Sequence, residues 1–507
     1  MKRWNSIFDV VQEPLIVLTI AIVLRGMSSI ILSANLARVY TFSNMIYVSA
    51  EVLRYFGGFI IMNFPFLVML RALSKRYEGS FPAFIGVVAY IFFHVVTMFN
   101  TNTSMPSTVY SDILGIHVDV ARLHVAGDIT RYPIHTGIIA AVIVWGITKI
   151  SYRQSRNRTG YGFFSFVDKD SYCLILTLIG SGIAALVMSM AWPFVIDGLY
   201  SIFRFIAYDI ANPVNAFVYG VLEKGMSLLN FPSLIREPFW FGEFGGSWIN
   251  ASGTNFLGDV AIWTAQSAQG VFNTGAGRFI TPHYVVNMFA IPAIVTAVYS
   301  MITDKMERRK YTIFLCIMVI LSVAFDTSLP IEIFLFIMCP LLYLMHLFMV
   351  GIIFALFQIL EVSIGYNYVG QSLLGTPGSA FDLFIHFRNT QIQGDIYTVL
   401  IVGVIVALLY FFVTRFYYKH LALDLMHTGK MKKLVNAFVD SVGGVRNIKM
   451  INSTPTKVIV QVENRTLIDF SKLQRNGAYK IVETRAGYSI YFGTASTMIK
   501  NVIERAM

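Results

Sequence analysis

Nine apolar runs, each close to the length needed to cross a bilayer as a helix, constrain this chain more than any other feature. A hydrocarbon core of about 30 Å takes about 20 apolar residues in helical form. Runs of that order fall at residues 14–36, 55–70, 81–99, 133–147, 171–196, 284–302, 311–325, 333–360 and 396–414. The run at 333–360 is long enough for a tilted span with an extension. Charged residues make up only 13% of the chain, against roughly 25% in a water-soluble domain. Much of the surface must therefore face hydrocarbon, and the chain cannot be read as a soluble enzyme.

The flanks predict an orientation. Lys2 and Arg3 precede the first run, Arg71, Lys75 and Arg76 follow the second, and Lys149, Arg153, Arg156 and Arg158 follow the fourth. Lys305, Arg308, Arg309 and Lys310 lie between the runs at 284–302 and 311–325. Basic loops stay on the cytoplasmic side, so the N-terminus and these loops are expected inside. The loop at 100–132, with Asp112, Asp119 and Asp128, is expected outside. Arg415, Lys419 and the lysines at 430–433 place the C-terminal part inside as well. The run at 396–414 must then enter from outside, so some part of 361–395 must return across the membrane. That stretch is polar and broken by Gly375-Thr-Pro-Gly378, which reads as a discontinuous or re-entrant segment. Residues 199–282 are also too polar for plain spans and read as a second set of hairpins. Two irregular regions among regular spans are a pointer to a transporter's substrate site.

The net charge of +11 is carried beside the apolar runs, where it sets orientation and attracts anionic lipid. No basic–aromatic stripe marks the soluble part, so nucleic acid is not an expected partner. Cys173, Cys316 and Cys339 are scattered through apolar runs, which excludes a disulfide framework or a metal cluster and suggests small core residues. Neither a metal nor a cofactor is implied. No cleavable signal is evident before the first run.

After Met431 the composition becomes that of a small soluble fold of about 75 residues. Residues 434–442 have helical spacing, 456–462 (TKVIVQV) alternate as a strand, 479–484 and 488–492 are further strands, and 496–506 close with a helix. The fold class is therefore a polytopic α-helical membrane protein, with about ten spans and re-entrant hairpins, plus a small cytoplasmic α+β domain. The division falls between a membrane part at 1–425 and a soluble part at 431–507.

Four blocks, in order, resemble the glucose-superfamily permeases of the bacterial phosphoenolpyruvate-dependent sugar phosphotransferase system, in which a membrane enzyme IIC domain is fused to a cytoplasmic IIB domain. Trp192-Pro193 is followed by Asn212-Pro-Val-Asn-Ala-Phe-Val-Tyr-Gly-Val-Leu-Glu223, similar to the family's NPV…YGxxE block. Gly258-Asp259 and Met288–Ala293 are next. Pro330-Ile-Glu332 with Phe334, Phe336, Pro340, Leu342-Tyr343 and His346 matches the region around the family's T-E-P-I-E signature. Gly443-Gly444, Asn447-Ile448, TKVIVQV and Tyr491-Phe-Gly493 resemble the IIB domain. The resemblance implies a homodimer in the bacterial inner membrane that binds a sugar at mid-membrane, alternates access, and receives phosphate through a IIB cysteine.

The departures fall on the chemistry. Where the family's phospho-cysteine stands, this chain has Thr454, in Thr454-Pro-Thr-Lys457, and residues 431–507 contain no cysteine. A thiolate forms readily because its reference pKa is about 8.5, whereas a threonine hydroxyl would hold phosphate as a stable ester. Pro455 also removes a backbone N–H from the loop. The first carboxylate of T-E-P-I-E is Leu329, and the family's histidine-bearing segment reads Asn230-Phe-Pro-Ser233. Phosphotransfer by this chain's own IIB-like part is therefore not expected. Phosphate would have to come from a IIB domain in trans with the general phosphotransfer proteins, or the fold serves as a sensor, regulator or receptor.

Glu332, Glu223, Arg236 and Asn212 are the candidate substrate contacts. Glu332 is an ionisable group in an apolar run, and reads either as a functional group or as a carboxylate held at a hairpin tip. Glu223 beside Lys224 reads as a sugar contact or an internal ion pair, and Arg236 with Glu237 as replacement sugar contacts or an interfacial pair. Glu51 and Arg54 sit one turn apart and can pair, with Arg25 nearby in packing or at a dimer face. His94 and His346 read as satisfied buried histidines, and Trp240, Trp248 and Trp263 as sugar-stacking or headgroup-anchoring rings.

Overall fold

The computed structural model describes residues 2–33, 36, 40–76, 80–100, 105–119, 130–157, 168–272, 275–302, 305–366, 377–421, 430–454, 456–484, 487–492 and 495–504. Among these, seven helices are long and apolar enough to cross a membrane: Val10–Ile31, Asn44–Met62, Phe81–Phe99, Lys169–Tyr208, Thr281–Met301, Pro340–Ile359 and Thr390–Tyr417. Tyr311–Phe325 and Leu329–Met338 are shorter apolar helices, and Ile138–Arg156 is a further helix with a basic C-terminal end.

Two apolar runs are not single helices. The run at 55–70 straddles a break between the helices Asn44–Met62 and Phe64–Arg76. Asn63 makes the break: its side-chain amide donates to the Phe59 carbonyl at 2.9 Å, and its Oδ1 accepts the Leu114 N–H at 3.0 Å. Pro65 suits the first turn of the helix that follows, where its missing N–H costs nothing. The run at 333–360 likewise divides into Leu329–Met338 and Pro340–Ile359. Cys339 takes an extended φ/ψ of −152°/85°, the conformation a following proline imposes. Apolarity was continuous through the break at Cys339 and interrupted by the single residue Asn63 at the other.

The helix Lys169–Tyr208 shows how the bundle is turned inside out. Its buried face carries Cys173, Thr177, Ser181, Ala185 and Ser189, while Ile175, Ile179, Ile183, Val187 and Phe194 lie exposed on the other side. Small residues let neighbouring helices approach, and large aliphatic ones meet lipid. The inward hydroxyls are partly satisfied locally: Thr177 donates to the Cys173 carbonyl at 2.8 Å and Ser189 to the Ala185 carbonyl at 2.9 Å. Cys316 is exposed, whereas Cys173 and Cys339 are buried. An apolar run in a bilayer protein has two apolar destinations, so hydrophobicity did not place that thiol in the core.

The two polar stretches are irregular. Between Tyr208 and Thr281 lie the helices Pro213–Leu228, Ser233–Trp240 and Asp259–Ala268 and an antiparallel hairpin, Ser247–Ile249 with Asn255–Leu257. In 361–395, residues 363–366 form an extended, buried strip tied to Thr281, whose hydroxyl accepts from the Ile364 N–H at 2.8 Å. A short helix, Ala380–His386, follows. The Thr376 and Pro377 region is only partly described: Gly375 and Thr376 lie outside the described residues.

Residues 430–504 fold around a hydrophobic core of their own. The sheet is antiparallel in the order β1 (Ile448–Ser453), β2 (Lys457–Val462), β4 (Gly487–Tyr491), β3 (Lys480–Thr484). The helices Lys430–Ser441, Phe470–Arg475 and Ala495–Glu504 complete the unit. Strand β1 and the helix Phe470–Arg475 are additional to the elements legible in the sequence. The mixed polar pattern of IKMINS conceals β1, whose burial follows only Ile448 and Ile451.

Candidate functional site

The helix Pro213–Leu228 begins at Asn212, whose side chain accepts the Val214 N–H at 2.9 Å. Asn215, Tyr219 and Glu223 then follow at four-residue spacing on one buried face. This helix packs closely on Pro340–Ile359. A Cβ added at Gly220 would lie 2.5 Å from the Phe354 ring, and one at Gly351 would lie 2.7 Å from the Phe217 ring. The Tyr343 hydroxyl, on the second helix, donates to the Lys224 carbonyl at 3.3 Å. The approach holds Glu223 and Lys224 against the short helix Leu329–Met338.

There the polar side chains converge. Glu332 is fully buried, and its Oε1 accepts from the Ser328 hydroxyl at 2.5 Å and lies 3.3 Å from Lys224 Nζ. Lys224 also donates to Ser328 Oγ at 2.8 Å. Glu223, also fully buried, accepts from Arg236 Nε at 2.7 Å. His283 lies between two carboxylates, with Nε2 3.7 Å from Glu223 Oε2 and Nδ1 3.4 Å from Asp326 Oδ1. The Asn287 side-chain amide donates to Asp326. His346 places Nδ1 3.1 Å from the Tyr410 hydroxyl and Nε2 3.7 Å from Glu332.

Several buried atoms in this cluster have no protein hydrogen-bond partner: Glu223 Oε2, Glu332 Oε2, Asn287 Oδ1, His346 Nε2 and both nitrogens of His283. Buried polar groups are normally satisfied. Unused acceptors and donors, gathered at one point among broken helices, suit a ligand rich in hydroxyls, which offers both.

The structure brings together three of the residues singled out from sequence, Glu332, Glu223 and Arg236, and places two elsewhere. Asn212 serves as a helix cap. Thr454 lies in the turn joining β1 to β2, where its N–H donates to the Lys457 carbonyl at 2.9 Å. Pro455 lies outside the described residues. The pairings differ from those of sequence neighbours. Glu223 pairs with Arg236 and Lys224 with Glu332, while Glu237 is exposed, because adjacent residues on a helix point in different directions. For the same reason Arg236 and Glu237 do not form a pair.

Asp326, His283, Ser328 and Asn287 were not singled out. Asp326 and His283 nonetheless carried the signal that singled out Glu332, an ionisable group beside an apolar run. Glu51 and Arg54 make no ion pair; Glu51 is exposed, and Arg25 lies within electrostatic reach of Arg54 and Arg236. His94 is buried against the Tyr90 and Phe93 rings, 4.5 and 5.4 Å between centroids, but its nitrogens have no protein partner. Trp240 and Trp263 are buried, Trp240 donating to the Tyr219 hydroxyl at 3.2 Å, which excludes headgroup anchoring by either. Trp248 packs on Phe256 in the hairpin.

Broken helices around a cluster of buried ionisable groups, among helices long and apolar enough to cross a membrane, define a multi-pass α-helical membrane protein. No family model matches the chain. Among curated proteins, it is similar to the PTS system glucoside-specific EIICBA component of Staphylococcus carnosus (strain TM300), with 28% identity over 388 residues. The match covers 74% of this chain and 54% of that protein, so the chain spans about half the length of the relative. The resemblance to the phosphotransferase-system permeases is borne out by this relative.

Proposed function

We propose that this chain is a phosphotransferase-system type sugar permease in which residues 1–425 bind and translocate a carbohydrate by alternating access, while residues 431–507 do not relay phosphate. The observation that carries the first half is the buried cluster of Glu332, Lys224, Ser328, Glu223, Arg236 and His283, with its unused hydrogen-bonding atoms. The relative's glucoside specificity makes a glucoside or a related sugar the first class to try. The second half rests on Thr454. It lies in a hairpin turn at the position the resemblance gives to the family's nucleophile, and residues 431–507 contain no cysteine thiol. A phosphothreonine ester would not discharge onto sugar as a thiophosphate does.

The orientation is N-terminus and IIB-like part in the cytoplasm of a bacterial inner membrane, from the distribution of basic flanks. The working assembly is a homodimer with bound lipid.

The test is uptake of radiolabelled glucose, methyl α-glucoside, salicin and N-acetylglucosamine in cells lacking their own permeases. Unmodified sugar inside the cell is the expected result. Phosphorylated sugar appearing only when a separate IIB domain is co-expressed would mean phosphate supplied in trans. Neither uptake nor binding of any sugar would favour a sensor or receptor built on the same fold and would overturn the proposal.

A further inference from the structure

The buried centre holds more carboxylates than permanent cations, and we propose that it carries one exchangeable proton on His283, so that sugar movement through this fold is coupled to proton movement. The inference rests on the permease reading above and adds its co-substrate.

The charge balance is the starting point. Lys224 and Arg236 supply two positive charges, and Glu223, Glu332 and Asp326 supply three negative ones. All three carboxylates are buried, with exposures of 0%, 0% and 5%. An uncompensated charge in such a place is costly. Protonating one imidazole brings the set to neutrality.

The geometry selects His283 over His346. A neutral imidazole has one N–H and one lone pair, whereas imidazolium has two N–H groups. His283 presents each nitrogen to a different carboxylate, Glu223 at 3.7 Å and Asp326 at 3.4 Å. One tautomer would leave a lone pair facing an anion; imidazolium attracts both carboxylates electrostatically, without a hydrogen bond to either at these separations. His346 faces Glu332, which already has Lys224 and Ser328, and turns its other nitrogen to the Tyr410 hydroxyl. A neutral ring is sufficient there.

Charges of both signs lie farther out. Asp382 accepts from the Tyr284 hydroxyl at 2.7 Å and the Gly378 N–H at 3.3 Å, and adds a negative charge. Arg25, within electrostatic reach of Arg236 and Arg54, adds positive charge with Arg54 beyond it, but none of the three faces an imidazole nitrogen of His283 as Glu223 and Asp326 do. Phe354 presents its ring to His283 at 5.9 Å, and Asn287 donates to Asp326. Gly378, at φ +84°, lays bare backbone on the pair: a Cβ there would lie 2.9 Å from His283 Cβ and 3.0 Å from Asp326 Oδ1. Gly378 thus lies directly against the proton site.

The step is a binding reaction. A proton from the sugar-donating side bonds to an imidazole nitrogen, sugar occupies the adjacent cluster, and both leave on the other side. No bond in the sugar forms or breaks. Without a phosphoryl relay to trap the product, such coupling supplies the driving force for accumulation.

The test reconstitutes the full chain into phosphatidylethanolamine–phosphatidylglycerol liposomes with trapped pyranine and neither phosphoenolpyruvate nor phosphotransfer proteins. Two readouts are taken with the four sugars named above: radiolabel counterflow at equal pH, and lumenal pH during downhill sugar entry. Symport predicts acidification that follows sugar entry, and accumulation up to about tenfold for a lumen one pH unit more alkaline at one proton per sugar. His283→Gln is expected to lose the acidification. His283→Lys, which keeps the charge balance and the fold, is expected to lose it as well. Counterflow with no acidification in the wild-type protein would overturn proton coupling and leave the permease reading standing. Acidification persisting in His283→Lys would overturn the assignment to this residue. Absence of counterflow for every sugar would remove the permease reading and the symport with it.

Discussion

Replacing Lys224 by methionine should destabilise the membrane part far more than replacing Lys224 and Glu332 together. Lys224 Nζ lies 3.3 Å from Glu332 Oε1, and both side chains are buried, at 4% and 0% exposure. At an effective dielectric of about 20 that separation corresponds to about 5 kcal/mol of attraction. Most of it offsets the desolvation of two charges, so the pair itself contributes little net stability. Removing one member is another matter, because the remaining charge keeps its desolvation penalty and loses its partner, at about 3–5 kcal/mol. Lys224→Met leaves Glu332 with Ser328 and His346 alone. Lys224→Met with Glu332→Gln removes both charges at nearly constant volume and should recover most of the loss. Tryptophan fluorescence during thermal unfolding in detergent provides the assay, at one scan rate because unfolding of such proteins is seldom reversible. The single variant should fall by on the order of 5–10 °C, with the double variant within a few degrees of the wild type. Equal losses in the single and double variants would refute the reasoning, since the penalty would then be one of shape and not of charge.

Three further outcomes are expected. Incubated with phosphoenolpyruvate and the general phosphotransfer proteins, the chain should take up no labile phosphoryl label, and Thr454→Cys is the variant in which label would first appear; a labile adduct on the unaltered chain would reverse the assignment of an inert IIB-like part. Gly351→Leu should force Pro340–Ile359 away from Pro213–Leu228, since a Cβ alone would already meet Phe217 at 2.7 Å; the loss should be about 1–3 kcal/mol, together with sugar binding, and an unchanged melting curve would show that the helices are not in close contact. Asp469 caps Phe470–Arg475, and donation from the Ser471 hydroxyl and the Lys472 amide holds its carboxylate below the usual range. Its cap is therefore complete above about pH 3.9, the unfolded reference, and is lost as pH falls through the lower folded value. Amide exchange of residues 470–475 in the full chain should accelerate over that acid window, whereas in Asp469→Ala it should be fast at every pH.

What could be read from sequence followed the physical signal available. Hydropathy located the apolar helices, because hydrocarbon imposes one requirement on every residue of a span. It could not separate Leu329–Met338 from Pro340–Ile359, since both halves are equally apolar, and only Pro340 marked the boundary. Asn63 was one polar residue in an apolar run, too little to mark a break; it ends a helix by bonding across to Leu114, a contact between residues distant in sequence. The candidate site was half visible. Glu332 and Glu223 stood out as charges in apolar surroundings, but their partners, Lys224 for one and Arg236 for the other, followed from how three helices meet. His283 and Asp326 showed the same local signal and gained importance only when placed in contact with Glu223 and each other.

Where the motifs of the resembled family are altered, the residues present make other contacts. Leu329, where a carboxylate is found in the family, is buried in the short helix just ahead of Glu332, and Ser328 beside it joins Lys224 to Glu332. Asn230, where the histidine-bearing segment begins, adopts φ +68° and donates to the Ile61 and Met62 carbonyls at 3.2 and 3.1 Å, closing the end of the helix Asn44–Met62. That segment has become a structural clamp, while Arg236 six residues later reaches Glu223. Under the proposed permease reading, His283 between Glu223 and Asp326 is the group that would supply a driving force where no cysteine is present to relay phosphate.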